Sequence, residues 1–351
     1  MLSSSLLINV SLVVFVTTIC CLTGCLLAKK INLVDSPDGI RKKHLGEIPL
    51  AGGLSLFISI MILSFLFSPL TESIPLEFKV LFLVSSLVLL LGILDDIKPL
   101  PISIRLIAQI IASWVVIILT DCYVRDFGDL FGLGNIHLGQ LGIPITIFMI
   151  VGMCNAFNML DGMDGLVSLV ALTAFTFLSV VLLFNQSFFL ITFYISISLS
   201  VFLFFNLGLI GKKYKMFLGD GGSMWLGFIL SWSLVIFSQG ENSSISPAAA
   251  IWFVFLPLID ALSTFLSRLR AGKAIFSGDR THIHHLLLDR HLAEWKILII
   301  FFLVSFLSCM FATFATLELV EDYLLFYGFA TLWIFYFLLI KYPSSKESSS
   351  L

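Results

Sequence analysis

Residues 143–184 read IPITIFMIVGMCNAFNMLDGMDGLVSLVALTAFTFLSVVLLF. Two apolar runs, 143–158 and 163–184, enclose a stretch in which Asp161 and Asp164 stand three residues apart, each followed by a glycine. A helix needs about 20 apolar residues to cross the hydrocarbon of a bilayer. The pattern therefore predicts two membrane spans joined by a tight acidic turn, and the same reading carried outward decides the fold.

The chain has 351 residues, of which 59% are hydrophobic and only 12% charged, and its mean hydropathy is +1.07. Soluble domains carry about 25% charged residues, so an ordinary soluble globule is excluded. Scanning for spans gives eleven candidates, near 6–28, 51–68, 78–94, 102–120, 143–158, 163–184, 188–208, 222–238, 248–267, 296–316 and 323–341. The first run is too long for a signal-peptide core and has no basic region before it, so it reads as a retained helix. With the N-terminus outside, 18 of the 20 Lys and Arg residues fall in inner loops, leaving Lys79 and Arg125 outside. That asymmetry follows the positive-inside rule. The expected fold is all-α: a polytopic membrane protein of about eleven transmembrane helices, its N-terminus periplasmic and its C-terminus cytoplasmic. A single membrane domain is expected over 1–342, followed by a polar, disordered tail at 343–351. The outer loop 121–142, rich in glycine, is expected to be an ordered cap.

A net charge of −2 gives no case for nucleic acid as a partner. The six cysteines lie mostly inside apolar runs without CxxC spacing, which reads as small buried hydrophobes and not as disulfides or metal ligands.

This topology brings the polar residues to one face. Asp95 and Asp96 end the third span in LLLGILDDIKPLP; Asp161 and Asp164 lie between the fifth and sixth; Asp220 sits in KMFLGDGGS before the eighth; GDRTHIHHLL (278–287) precedes the tenth. Any one of these segments has an ordinary explanation, as a helix cap, a topology signal or a solvated loop. Asp164, for example, could simply cap the sixth span. Four together supply carboxylates, a carboxamide, an arginine and histidines at one membrane face, a parts list for handling phosphate with a metal. Mg²⁺ prefers oxygen ligands, usually one or two carboxylates completed by phosphate oxygens. Arg280 and the neighbouring histidines would donate to phosphate oxygens. Gly219, Gly221 and Gly222 would let backbone approach a ligand, or serve close helix packing. If the chain continues as a helical turn, Asn158, Asp161 and Asp164 face one site.

The segments LGILDDIKPLPISIRL, NAFNMLDGMDGL, FLGDGGS and GDRTHIHHLL, in this order, resemble the polyprenyl-phosphate N-acetylhexosamine-1-phosphate transferases. RKKHLGEIPLAGGL (41–54) and the HIHH pattern look like the bacterial undecaprenyl-phosphate GlcNAc-1-phosphate transferases, not the peptidoglycan branch. The resemblance implies transfer of a sugar 1-phosphate, most simply GlcNAc-1-phosphate, from a UDP-N-acetylhexosamine to undecaprenyl phosphate, with release of UMP. It also implies Mg²⁺ or Mn²⁺, a bacterial inner-membrane location with the active site facing the cytoplasm, and a homodimer. The product would open assembly of a cell-surface polysaccharide such as O-antigen. GalNAc, QuiNAc or FucNAc donors fit the same motifs.

By the resemblance, Asp95, Asp96 and Asp161 are the catalytic carboxylates, and Asp220 and Asn158 hold the metal. Asp164, Gly162 and Phe217 match positions around the nucleotide base, and Arg105, Arg280, His282 and His284 match phosphate-binding positions. Asp95 would accept the lipid-phosphate proton or orient that phosphate. Two features stand apart. Some relatives continue the first motif as DDxxD, where this chain has Pro99. Asp260, inside the ninth span, costs about 2.5–3.5 kcal/mol to insert and could bond between helices or serve chemistry. A transporter is the rival of another class. Its sites usually lie near the membrane midplane on broken helices in repeated halves, whereas these acids cluster at one face.

Overall fold

A computed structural model describes residues 4–36, 46–67, 76–185, 190–240, 243–272 and 282–338; Arg280 and the tail 343–351 lie outside these. The chain begins with α1 (Ser4–Lys30), followed by the strands β1 (Val34–Asp35) and β2 (Ile48–Pro49). These pair antiparallel, with Val34 opposite Pro49 and Asp35 opposite Ile48. Then follow α2 (Gly52–Leu66), α3 (Leu76–Ile97), α4 (Ile102–Thr120), α5 (Gly142–Leu160), α6 (Leu166–Phe184), α7 (Leu190–Asn206) and α8 (Gly219–Ser238). The last five are α9 (Pro247–Phe253), α10 (Phe255–Arg270), α11 (Ile283–Asp289), α12 (Glu294–Leu317) and α13 (Asp322–Tyr336).

Each of the eleven expected apolar stretches is helical. Among the described residues, seven helices are long and apolar enough to cross a membrane, or up to eight if one bent pair is a single span. That pair is α9 and α10, which meet at 88°, so the expected ninth span is broken. The helices α2 and α7 are apolar but shorter than a full crossing. The chain is a multi-pass, all-α membrane protein.

The core is built around α8, nearly every residue of which is buried. Its close packing explains the glycines at its start. A Cβ on Gly53 of α2 would lie 2.2 Å from the Gly222 Cα, and one on Gly92 of α3 would lie 2.2 Å from the Gly221 Cα. Both contacts are backbone, which cannot swing aside as a side chain can. Gly221 and Gly222 thus serve helix packing, the second of the two roles open from the sequence.

The segment before α2 is stitched to the segment before α8. Phe217 N–H donates to the Pro49 carbonyl at 2.8 Å, while Gly52 and Gly53 donate to the carbonyls of Phe217 and Leu218, each at 2.9 Å. These bonds satisfy amides at the start of α2, which has no side-chain cap. The loop 121–142 is ordered. Its Arg125 and Asp126 amides donate to Gln239 Oε1 at 2.8 and 3.3 Å.

Candidate active site

The carboxylates collect where three helix ends meet: the C-termini of α3 and α5 and the N-terminus of α8. Asp96 reaches from α3 to the first turn of α8, where its Oδ1 accepts from Asp220 N–H at 3.0 Å and its Oδ2 from Gly221 N–H at 3.4 Å. It therefore caps α8 from a different helix. Gly219 adopts φ +78° beside it, and a Cβ there would come within 2.7 Å of the Asp96 Oδ2. Glycine at 219 is required both for that backbone turn and for the approach of the carboxylate.

Asp220 sits in the first turn of α8, where negative charge is favoured by the helix dipole. Its Oδ1 accepts from Asn158 Nδ2 at 3.0 Å, and the same nitrogen lies 3.2 Å from Ser223 Oγ. Asn158, in the last turn of α5, thus orients Asp220. Asp95 and Arg105 are both within electrostatic range of Asp220.

Asp95 is buried and engaged through both oxygens. Its Oδ2 pairs with Arg105 Nη1 at 2.7 Å, and its Oδ1 accepts from Leu100 N–H at 2.6 Å. In the turn Pro99-Leu100-Pro101 the prolines have no N–H, so Leu100 carries its sole amide donor, and Asp95 receives it. Pro99 therefore belongs to a turn clasped by Asp95, in the place of a third carboxylate.

The helical turn expected through 158–164 ends early. Asp161 leaves α5 at φ −76°, ψ 48°, and Gly165, at φ +77°, is the N-cap of α6. Asp164 is thus not the helix cap; it pairs with Lys215 Nζ. Gly165 N–H donates to Asn206 Oδ1 at 2.5 Å, and Asn206 Nδ2 donates to the Met216 carbonyl at 2.9 Å. This ties the acidic turn to the strip carrying Phe217, and Lys215 Nζ lies 5.3 Å from the centre of the Phe217 ring. Asp164, Lys215 and Phe217 form one group on the flank of the carboxylate cluster.

Half-buried Asp161 lies between the two groups. Burial first, then the negative charges of Asp220, Asp96 and Asp164, hold its carboxyl well above the usual carboxylate range. Lys215 and Asn206 escaped the sequence reading. The lysine was counted only towards membrane topology, and nothing in the apolar end of α7 marks the asparagine.

The His-rich segment lies against the acidic turn. Fully buried His284 packs on Gly162 so closely that a Cβ there would be 2.3 Å from its Nε2. Any side chain at 162 would displace the histidine. His282, its ring centroid 6.2 Å from that of His284 and nearly parallel to it, pairs through Nδ1 with Asp260 Oδ2 at 2.7 Å. The structure thus brings together Asp95, Asp96, Asn158, Asp161 and Asp220, with Arg105 on one side and Gly162, Asp164, Phe217, His282 and His284 on the other. Among the described residues, no three His, Cys, Asp or Glu side chains form a ready-made metal cage.

The sequence profile of Glycosyl transferase family 4 matches residues 78–238, which contain the whole carboxylate cluster. A Haemophilus influenzae relative is 35% identical over 317 residues, covering 88% of this chain and 87% of its own length. One from Salmonella typhi is 34% identical over 264 residues, 75% of this chain and 71% of its own, and one from Escherichia coli K12 is 33% identical over the same length. Each is an undecaprenyl-phosphate alpha-N-acetylglucosaminyl 1-phosphate transferase. With these similarities and an acidic cluster built from the helix ends inside the matched region, the chain belongs to glycosyl transferase family 4.

Proposed function

We propose that the protein transfers N-acetylhexosamine 1-phosphate, with GlcNAc the default sugar, from a UDP-sugar to undecaprenyl phosphate, releasing UMP. The relatives carry that activity in their names. The observation that carries it to this chain is the junction of α3, α5 and α8, where Asp96 caps the helix bearing Asp220 and Asn158 orients the Asp220 carboxylate. In the reaction an oxygen of the lipid phosphate attacks the β-phosphorus of the donor. The bond from that phosphorus to the bridging oxygen breaks, and UMP leaves with the electron pair.

A phosphate monoester is already mostly ionised at neutral pH, so the chain's main task is to position and neutralise charge. Arg105, held by Asp95, presents a cation to a phosphate. His282 and His284, with Arg280, would meet the pyrophosphate. Asp164, Lys215 and Phe217 lie together where the nucleotide base would be held. The donor set fits Mg²⁺ or Mn²⁺. Asp95, Asp96 and Asp220 crowd their carboxylates at one junction of helix ends, where a cation's charge would be favourable, and Mg²⁺ takes few protein oxygens beside its substrate oxygens. Asp220 and Asn158 would hold it, and when bound it would neutralise charge on the donor's pyrophosphate as UMP departs. We place the site at the cytoplasmic face of a bacterial inner membrane, in a homodimer, at the start of a surface polysaccharide such as O-antigen.

The test is a purified-protein assay with undecaprenyl phosphate, Mg²⁺ and a panel of radiolabelled UDP-N-acetylhexosamines. Lipid-linked product with one donor is expected; none with any donor would refute the proposal.

A further inference from the structure

Asp260 is buried on α10 inside the membrane domain and yet accepts three hydrogen bonds. His282 Nδ1 lies 2.7 Å from its Oδ2, while its Oδ1 accepts Ile283 N–H at 3.1 Å and the Tyr336 hydroxyl at 2.9 Å. The donors come from the start of α11 and the end of α13, two elements far apart in the chain. A carboxylate in that setting is costly unless its lone pairs are used, and here both oxygens are occupied.

This geometry does more than join helices. A carboxylate on Nδ1 of an imidazole fixes the ring's orientation and leaves Nε2 to face a ligand. The backbone bond to Ile283 locks the residue that links His282 to His284, and His284 presses on Gly162, next to Asp161. A continuous path of contacts therefore runs from the hydroxyl of Tyr336 through Asp260 to the histidines beside the carboxylate cluster.

We infer that Asp260 and Tyr336 are positioning residues that set His282 and His284 against the donor pyrophosphate, an inference that rests on the proposed transferase reading. The path gives α13 a part in the reaction although it supplies no residue to the site. Asp260 and Tyr336 act through the bonds to His282 and Ile283, so their effect should fall on turnover and spare nucleotide affinity.

The test uses full-length protein in lipid nanodiscs with Tyr336→Phe, Asp260→Asn and Asp260→Glu. Losing one hydrogen bond to a charged group should lower kcat about tenfold in Tyr336→Phe, and misplacing the loop should lower it about 100-fold in Asp260→Asn. UMP affinity should stay at the wild-type value while the melting temperature falls modestly with the lost buried bond, and Asp260→Glu should recover part of the loss in kcat. Diethyl pyrocarbonate should modify His282 faster in Tyr336→Phe and Asp260→Asn, read by mass spectrometry. Wild-type kcat in both variants overturns the inference, as does a parallel fall of kcat, UMP affinity and melting temperature. If the wild-type protein transfers no sugar phosphate at all, the transferase reading falls; the histidine modification rates then decide alone, and unchanged rates overturn the positioning role.

Discussion

Substituting Gly92 by alanine tests whether catalysis depends on how closely α3 approaches α8. The added Cβ would stand 2.2 Å from the Cα and 2.5 Å from the N of Gly221, both backbone atoms. To reach the 3.4 Å of ordinary contact, the helices must part by about 1 Å, an overpacking that costs about 1–3 kcal/mol. The separation falls about one helical turn from Asp95 and Asp96. It stretches the 3.0 Å bond from Asp220 N–H to Asp96 beyond hydrogen-bond length. A misplacement of about 1 Å at reacting groups costs on the order of 100-fold in rate. The expected result in the radiolabelled transfer assay is a 100-fold lower kcat, by that estimate, in protein that still purifies as a folded species. Gly142→Ala is the control. Its Cβ would meet the Val124 carbonyl at 2.0 Å, at the end of α5 opposite Asn158, so it should lower the melting temperature and leave kcat near wild type. Wild-type kcat in Gly92→Ala, or equal kcat losses in both variants, would refute the argument that helix spacing sets the site.

Asp220→Asn should abolish turnover while the protein folds, since the amide cannot supply the carboxylate's charge; near-normal kcat would remove Asp220 as a metal-holding residue. Asp161 has a folded pKa above its unfolded value, so the native state keeps a proton that the unfolded state has lost. That lowers stability as pH rises from the unfolded pKa towards the folded one. In metal-free protein Asp161→Asn should therefore be stabilising, with a melting-temperature gain that grows from pH 5 towards neutrality; a gain independent of pH would contradict the assignment. Lys215→Met removes a part-exposed ion pair and should change stability by less than about 1 kcal/mol. It should nevertheless weaken UMP binding measured by calorimetry, and unchanged affinity would exclude Lys215 from the nucleotide site. Leu100→Pro deletes the amide that holds Asp95 and should cost about 1.5–3 kcal/mol; an unaltered melting temperature would show that the clasp contributes nothing.

The membrane fold was legible because spans are written as long apolar runs, and all eleven expected stretches are helical. The break between α9 and α10, an 88° turn, was overlooked although Pro257 marks it: it has no N–H to offer the carbonyl of Phe253, where α9 ends. At the site, the grouping of Asp96, Asn158 and Asp220 followed from their each lying at the end of a span. The details needed three dimensions. Periodicity placed Asp164 on a continued helical turn, but Gly165 starts α6 and Asp164 turns to Lys215. Asp260 looked ambiguous because its partners His282 and Tyr336 come from segments whose proximity no local pattern records.

The stitching of residues 49–53 to 217–218 also bears on how the protein is made. The amides of Gly52 and Gly53 leave the ribosome long before the carbonyls they bond. Until α8 is inserted, α2 lacks those partners, Asp96 has no helix to cap, and Phe217 has no fixed backbone. The carboxylate cluster therefore cannot assemble helix by helix as the chain enters the membrane. It can close only once α8 has joined α2, α3 and α5, and the bond from Tyr336 to Asp260 can form only after α13 has followed. A nascent chain halted before α8 would be inserted and helical but unable to bind nucleotide.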